Sequence, residues 1–227
     1  MSHALLPGWY RLRKRAKGID EDDLLEEFQR RAVPFLEGQR PDSFWEWYFV
    51  MQHHGLPTRL LDWSESSLVG LFFAVGDWNG RGGNVAHDAV VWMLDPWYLN
   101  KWSTGKDEVF RYDDPRIAKY LPKKLYSPDR SPDKPVALVP LHNSRRLTAQ
   151  RGVFTVHGAD ETSLEKMLSA EKQPHLAKIT IPKKHVLDVR VELQLTGVSD
   201  VTLFPEMPYL CQDILRNWDL VGAPVES

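Results

Sequence analysis

Apolar residues recur at steps of three and four along the first third of the chain. Leu24, Leu25, Phe28, Ala32, Phe35 and Leu36 line one side of a helix predicted from Asp20 to Leu36. Asp20, Glu21, Asp22 and Asp23 crowd its start, where carboxylates suit the positive end of the helix dipole. Pro34 should kink or end it, and residues 38–41 read as a linker. Ser43-Phe44-Trp45-Glu46 has the form of a capping box, so a second helix should run to His54. Gly55 and Pro57 supply its stop signal. Thr58 to Trp63 then reads as a short irregular link. Ser64 or Ser66 can cap a third helix from Ser67 to Trp78, and the three glycines between Asn79 and Asn84 predict a turn.

Beyond this the period shortens. Ala89 to Leu94 is continuously apolar and predicts a buried strand, after which Asp95 caps and Pro96 opens a helical turn. Lys101 to Pro135 is rich in Pro, Asp, Lys, Tyr and Ser and reads as a long irregular excursion, with at most a short helix near Pro115 to Tyr120. Strands are predicted at Val136 to Pro140, Val153 to His157 and Ala177 to Ile181. A helix is predicted at Leu164 to Glu171; Lys183 to Leu195 fits helix or strand, the valines favouring strand and the spacing of Leu187, Val191 and Leu195 the preferred helix. A last helix should begin at Phe204-Pro205 and run to Trp218, interrupted by Pro208. These elements specify an α+β fold: one domain over residues 1–227, with N-terminal helices packed on a small mixed β-sheet.

Composition narrows the classes. The chain has 227 residues, 42% hydrophobic and 26% charged, which is ordinary for a globular protein with a sizeable core. A net charge of −2 argues against nonspecific nucleic-acid binding. Cys211 is the only cysteine, so no disulfide forms within the chain. Arg11, Arg13, Lys14, Arg15 and Lys17 interrupt the N-terminus too densely for a signal core, and no apolar run approaches the ~20 residues of a membrane span. The expectation is a cytoplasmic protein with no membrane contact.

The chemistry concentrates in Gln52-His53-His54-Gly55-Leu56-Pro57-Thr58-Arg59-Leu60-Leu61-Asp62-Trp63-Ser64, a polar island between aromatic-rich runs. With the following Leu71-Phe72-Phe73-Ala74, this stretch resembles the signature of the FRG domain of bacteria and phages. Gln150-Arg151-Gly152-Val153-Phe154-Thr155-Val156-His157-Gly158 and Thr202-Leu203-Phe204-Pro205-Glu206 extend the resemblance. The Phe-Arg-Gly motif that gives the domain its name has no counterpart, since Tyr10-Arg11-Leu12 lacks the glycine. The resemblance implies a phage-defence or toxin-like setting.

Each candidate group has two readings. His53, His54 and Asp62 can act as general bases or acids, with Asp62 orienting an imidazole. Equally, an imidazole can cap carbonyls at a helix end. Adjacent histidines on a helix diverge by about 100°, and no zinc spacing is present, so no metal site is expected. Arg59 with Gln52 and Thr58 can cradle a phosphate or pyrophosphate, or it can bridge Asp62 or a carboxylate elsewhere. Arg151, Thr155 and His157 would share one face of a strand, either as ligand contacts or as a solvated edge. Glu206 is a catalytic carboxylate or a helix-start anion. Three functions follow. The first is a nucleotide-processing enzyme, with ADP-ribosyl transfer from NAD as the leading case. The second is a noncatalytic module binding nucleic acid or protein. The third is a hydrolase using His53 or His54 with Asp62. NAD would be a substrate, and the residues single out no certain cofactor.

Overall fold

In a computed structural model the described residues are 4–12, 20–36, 40–76, 87–122, 132–141, 144–169 and 175–218. The turn expected over residues 79–84 lies outside them. So do the expected ends of two helices, at residues 78 and 170–171, part of the 38–41 linker, and residues 123–131 of the excursion.

The first elements follow their local signals. A single turn, α1 (Gly8–Arg11), precedes α2 (Glu21–Ala32). Asp20 caps α2 through a reciprocal capping box with Asp23, and a 3-10 turn at Val33–Phe35 takes up Pro34. Helix α3 (Phe44–His53) starts on the Ser43 hydroxyl, which accepts from the Glu46 N–H. It stops where Gly55 turns left-handed at φ 81°, a conformation that favours glycine. The segment expected to be an irregular link is instead strand β1 (Leu60–Ser64). Only Leu60 is fully buried there, so the alternation that signals a strand is weak. A neighbouring strand, not local pattern, makes it extended.

Helix α4 (Ser67–Val75), strand β2 (Ala89–Leu94) and helix α5 (Pro96–Thr104) come next. Strand β2 is not the buried strand its apolar run predicts, because Ala89 alone is fully buried and Met93 is 52% exposed. It belongs to a two-stranded sheet with β6 (Leu176–Ile181), and so small a sheet cannot bury two faces. The excursion contains β3 (Phe110–Arg111) and a 3-10 helix at Pro115–Tyr120, the latter as expected. Strands β4 (Val136–Val139) and β5 (Gly152–Val156) follow, separated by α6 (Arg145–Ala149). The main sheet is mixed, in the order β1-β5-β4-β3. β3 runs parallel to β4, and β4 antiparallel to β5 with Leu138 opposite Phe154.

The remaining helices are α7 (Leu164–Leu168), α8 (Val186–Leu195), α9 (Asp200–Leu203) and α10 (Met207–Asn217). Phe204 does not open the last helix as expected. Its N–H closes α9 on the Asp200 carbonyl, and α10 begins at Met207. Pro208 therefore sits in the first turn of α10, where no backbone donor is needed, and does not interrupt it.

The chain forms two units, interleaved in sequence. The N-terminal unit comprises residues 1–63, 93–141 and 153–177. There Phe49 of α3 stacks on Phe154 of β5 at 5.2 Å, with Trp45 stacked behind Phe49. A second cluster in this unit gathers Leu99, Ala137, Leu164 and Leu168. The other unit comprises residues 64–92, 142–152 and 178–227, and its core joins Val69, Phe72, Val75, Val186, Leu193, Leu203 and Phe204. Among the described residues no helix is long and apolar enough to cross a membrane.

One buried amide organises the excursion. Asn100 of α5 donates to the Glu108 and Ala137 carbonyls at 2.8 and 2.9 Å and accepts from the Ala137 N–H at 2.7 Å. Asn100→Leu should lower stability by roughly 2–4 kcal/mol, because it strands buried backbone groups. A urea melt should show the transition midpoint fall with little change in slope.

Candidate functional site

The polar island is assembled at the end of α3 and along β1. At the helix end the His54 N–H donates to the Val50 carbonyl at 3.1 Å, and Gly55 and Leu56 close onto Gln52 and Met51. This reversal places Thr58 in the interior, where its carbonyl accepts from the Trp9 N–H at 2.9 Å. The Thr58 hydroxyl accepts from the Leu60 N–H at 3.0 Å and donates to Gln52 Oε1 at 2.6 Å. Gln52 Nε2 then donates to Asp62 Oδ2 at 2.7 Å. A buried threonine thus fixes an amide, and the amide fixes an exposed carboxylate on a strand.

Arg59 is fully buried, and so is its partner Glu21. Arg59 Nε donates to Glu21 Oε2 at 2.6 Å, Nη1 to the His157 carbonyl at 2.6 Å, and Nη2 to the Tyr120 carbonyl. The Arg59 N–H is shared between Glu21 Oε1 at 3.0 Å and the Tyr48 hydroxyl at 2.8 Å. The Tyr48 hydroxyl in turn donates to Glu21. Burial works against the guanidinium's charge, but the surrounding Tyr48, Glu21 and Tyr10 outweigh it, and Arg59 holds its proton more tightly than usual. Burial, then the Glu21 carboxylate, push the Tyr48 hydroxyl well above its ordinary range. The clamp ties together α2, α3, β1, the 3-10 helix and the residue after β5.

This geometry decides between alternatives that the sequence leaves open. The partner of Arg59 is Glu21, 38 residues away, while Asp62 is held by Gln52. Nor is Arg59 available as an anion cradle, since all three of its side-chain nitrogens serve internal acceptors. Glu21 had only its helix-start position to mark it. Tyr48 had only an aromatic run. Nothing in an acidic cluster says which carboxylate turns inward.

Thr155 and His157 are buried, not solvated, because β5 lies between β1 and β4. Thr155 Oγ1 accepts from Trp63 Nε1 at 3.1 Å. The His157 N–H donates to the Arg59 carbonyl at 3.0 Å, but neither ring nitrogen has a hydrogen-bond partner. Burial first, and the Arg59 charge second, push this imidazole down to about 3 against the pull of Asp160. His53 is half-buried and His54 exposed, yet their rings meet edge to face at 4.9 Å despite the angular divergence of adjacent helical positions. Arg151 and Glu206 belong to the second unit. Arg151 turns at φ 47° before β5 and lies 3.7 Å from Glu65. Glu206 is half-buried ahead of α10, its carbonyl accepting from the Tyr209 N–H at 3.1 Å. Among the described residues no three His, Cys, Asp or Glu side chains converge as a metal site.

The site thus defines an α+β scaffold with a buried arginine clamp beneath an oriented surface carboxylate. The family model of the FRG domain matches residues 1–81 of this chain. The matched stretch, 81 of the 227 residues, holds Glu21, Tyr48, Gln52, Arg59 and Asp62. Residues 150–158 and 202–206 lie beyond the match. Searches of curated proteins and of solved structures found no match.

Proposed function

We propose that the chain is a nucleotide-processing enzyme of the FRG-like class, with Asp62 as its acting carboxylate. The observation that carries this reading is the Thr58–Gln52–Asp62 relay. Gln52 holds an exposed carboxylate on a strand by a hydrogen bond of 2.7 Å, and Thr58 holds Gln52 by one of 2.6 Å. Orientation by supporting groups is what a catalytic side chain needs. ADP-ribosyl transfer from NAD suits such a group. The bond from ribose C1′ to nicotinamide breaks, an acceptor bonds to C1′ and loses a proton, and nicotinamide leaves. A carboxylate stabilises the positive charge that develops at C1′. His53 and His54 are the nearby candidates for the acceptor's proton; with water as acceptor the same parts make a hydrolase. Arg59 serves as scaffold beneath them.

Calorimetric titration of NAD, ADP-ribose and short oligonucleotides, followed by turnover of the binder, tests this reading. Asp62→Asn should lower turnover by ~10²-fold or more, with the melting temperature within a few degrees because Asp62 is exposed. In a phage-defence or toxin-like setting, the wild type should inhibit bacterial growth on expression and Asp62→Asn should not. Absence of nucleotide binding, or an unchanged rate in Asp62→Asn, overturns the proposal.

A second reading, a noncatalytic protein-binding module, is favoured by one observation. Leu187, Val191 and Leu195 form a row along α8 and are 47%, 56% and 82% exposed. Contiguous exposed apolar surface of this kind marks interaction sites. A chain that binds no nucleotide, and whose association is lost on Val191→Lys, would belong to that class.

A further inference from the structure

His157 is buried with no hydrogen-bond partner on either ring nitrogen, although nearly all buried polar groups in folded proteins are paired. Its backbone, by contrast, is held on both sides by Arg59. The next residue, Gly158, accepts from the Tyr10 hydroxyl and presses against the backbone of Pro132 and Asp133. The Tyr10 ring meets the His157 ring edge-on, with centroids 6.4 Å apart.

The charges around this imidazole are unfavourable to a second cation. Arg59 is already positive, and its counterion Glu21 is committed to Arg59 and Tyr48. Asp160 lies in His157's own segment, but it is exposed and its carboxylate accepts from the Thr162 N–H at 2.8 Å. Asp133, on the segment packed against Gly158, is exposed. Tyr10 spends its hydroxyl on Gly158. A proton on His157 therefore has no buried acceptor to meet it and is accommodated only when the surrounding contacts part.

We infer that His157 is an acid trigger, whose protonation opens the seam joining α1, the Arg59 segment and residues 157–159. The sign follows from linkage. A histidine held neutral in the closed seam and free to charge in the open one contributes stability that is complete above about pH 6.5 and declines below it. One proton taken up per opening makes the open population rise about tenfold per pH unit.

Hydrogen exchange in the wild-type chain reads this directly. The amides of Trp9, His157 and Ala159 close the seam on the Thr58, Arg59 and Pro132 carbonyls. After correction for intrinsic exchange rates, their protection should fall about fiftyfold from pH 6.5 to 4.5. The Leu203 and Phe204 amides of the other unit should not follow that slope. His157→Phe keeps a ring of similar size and should abolish it. If that variant fails to fold, the histidine ring signals of the wild type decide: His157 should remain neutral in the folded chain at pH 5. A His157 ring charged in the folded state, a pH-independent seam, or an unchanged slope in His157→Phe overturns the proposal.

Discussion

Replacing Arg59 with alanine should cost about 3–5 kcal/mol, the range for breaking a buried ion pair from one side. That is a large share of the stability of an ordinary domain, and the variant should melt far below the wild type or fail to fold. Three losses combine. Glu21 is left charged or must take up a proton where nothing else neutralises it. The His157 and Tyr120 carbonyls lose their donor. The side chain that fills the space between α2, β1 and the residue after β5 disappears. Arg59→Lys should recover only part of this, because a compact ammonium cannot reproduce a fork that reaches a carboxylate and two carbonyls together. Glu21→Gln should be milder than Arg59→Ala, since the amide keeps the shape and still accepts. In a double-mutant cycle of Arg59→Ala with Glu21→Ala, the double variant should cost clearly less than the sum. It should not return to wild-type stability, because the two carbonyls remain unpaired. Denaturant melts followed by tryptophan fluorescence measure all five variants. Additive costs, or an Arg59→Ala variant within 1 kcal/mol of wild type, would reject the clamp as described.

Gly158→Ala should be nearly as damaging for a different reason. A Cβ at this position would lie 2.0 Å from the Pro132 carbonyl oxygen and 2.5 Å from that of Asp133. Both obstacles are backbone, and the Ala159 N–H holds the Pro132 carbonyl in place at 2.8 Å. Overpacking a rigid site costs ~1–3 kcal/mol and sometimes more; with no side chain able to swing aside, the upper end or beyond is expected. Gly152→Ala provides the comparison. There the nearest atom to a new Cβ, at 2.4 Å, is the Leu147 Cδ1, the end of a flexible side chain. Its melting temperature should fall less than that of Gly158→Ala. Equal effects at the two glycines would mean that close backbone approach is not what Gly158 provides.

Much of the scaffold was legible from local signals. The Asp20 and Ser43 caps, the Gly55 stop, the 3-10 helix near Pro115 and the helix over Val186 to Leu195 all depend on interactions within a few residues. Strands β4, β5 and β6 were readable because their apolar or alternating runs are long enough to register. β1 was not, since a run with one fully buried residue is extended only by its neighbour. The start of the last helix was misplaced because Phe204-Pro205 looks like a beginning, although Phe204 is consumed in closing α9. At the site, the motif drew the eye to Gln52, Thr58, Arg59 and Asp62 together. Local spacing left the partner of Arg59 open between Asp62, three residues on, and a carboxylate elsewhere, because nothing local records that Glu21 is buried beside it.

The sequence by itself determined the α+β class, the capped helices around an aromatic core and the stretch where polar chemistry concentrates. These follow from periodicity and capping, which act over a few residues. The tertiary structure alone decided that Glu21 and Tyr48 complete the Arg59 clamp, that Asp62 is held by Gln52 at the surface, and that His157 is buried without a partner. It also decided how the chain divides into two interleaved units. Each of these depends on contacts between segments distant in sequence. Burial there turns one carboxylate among four into a counterion and one histidine among eight into an unpaired core group, and no local pattern records which.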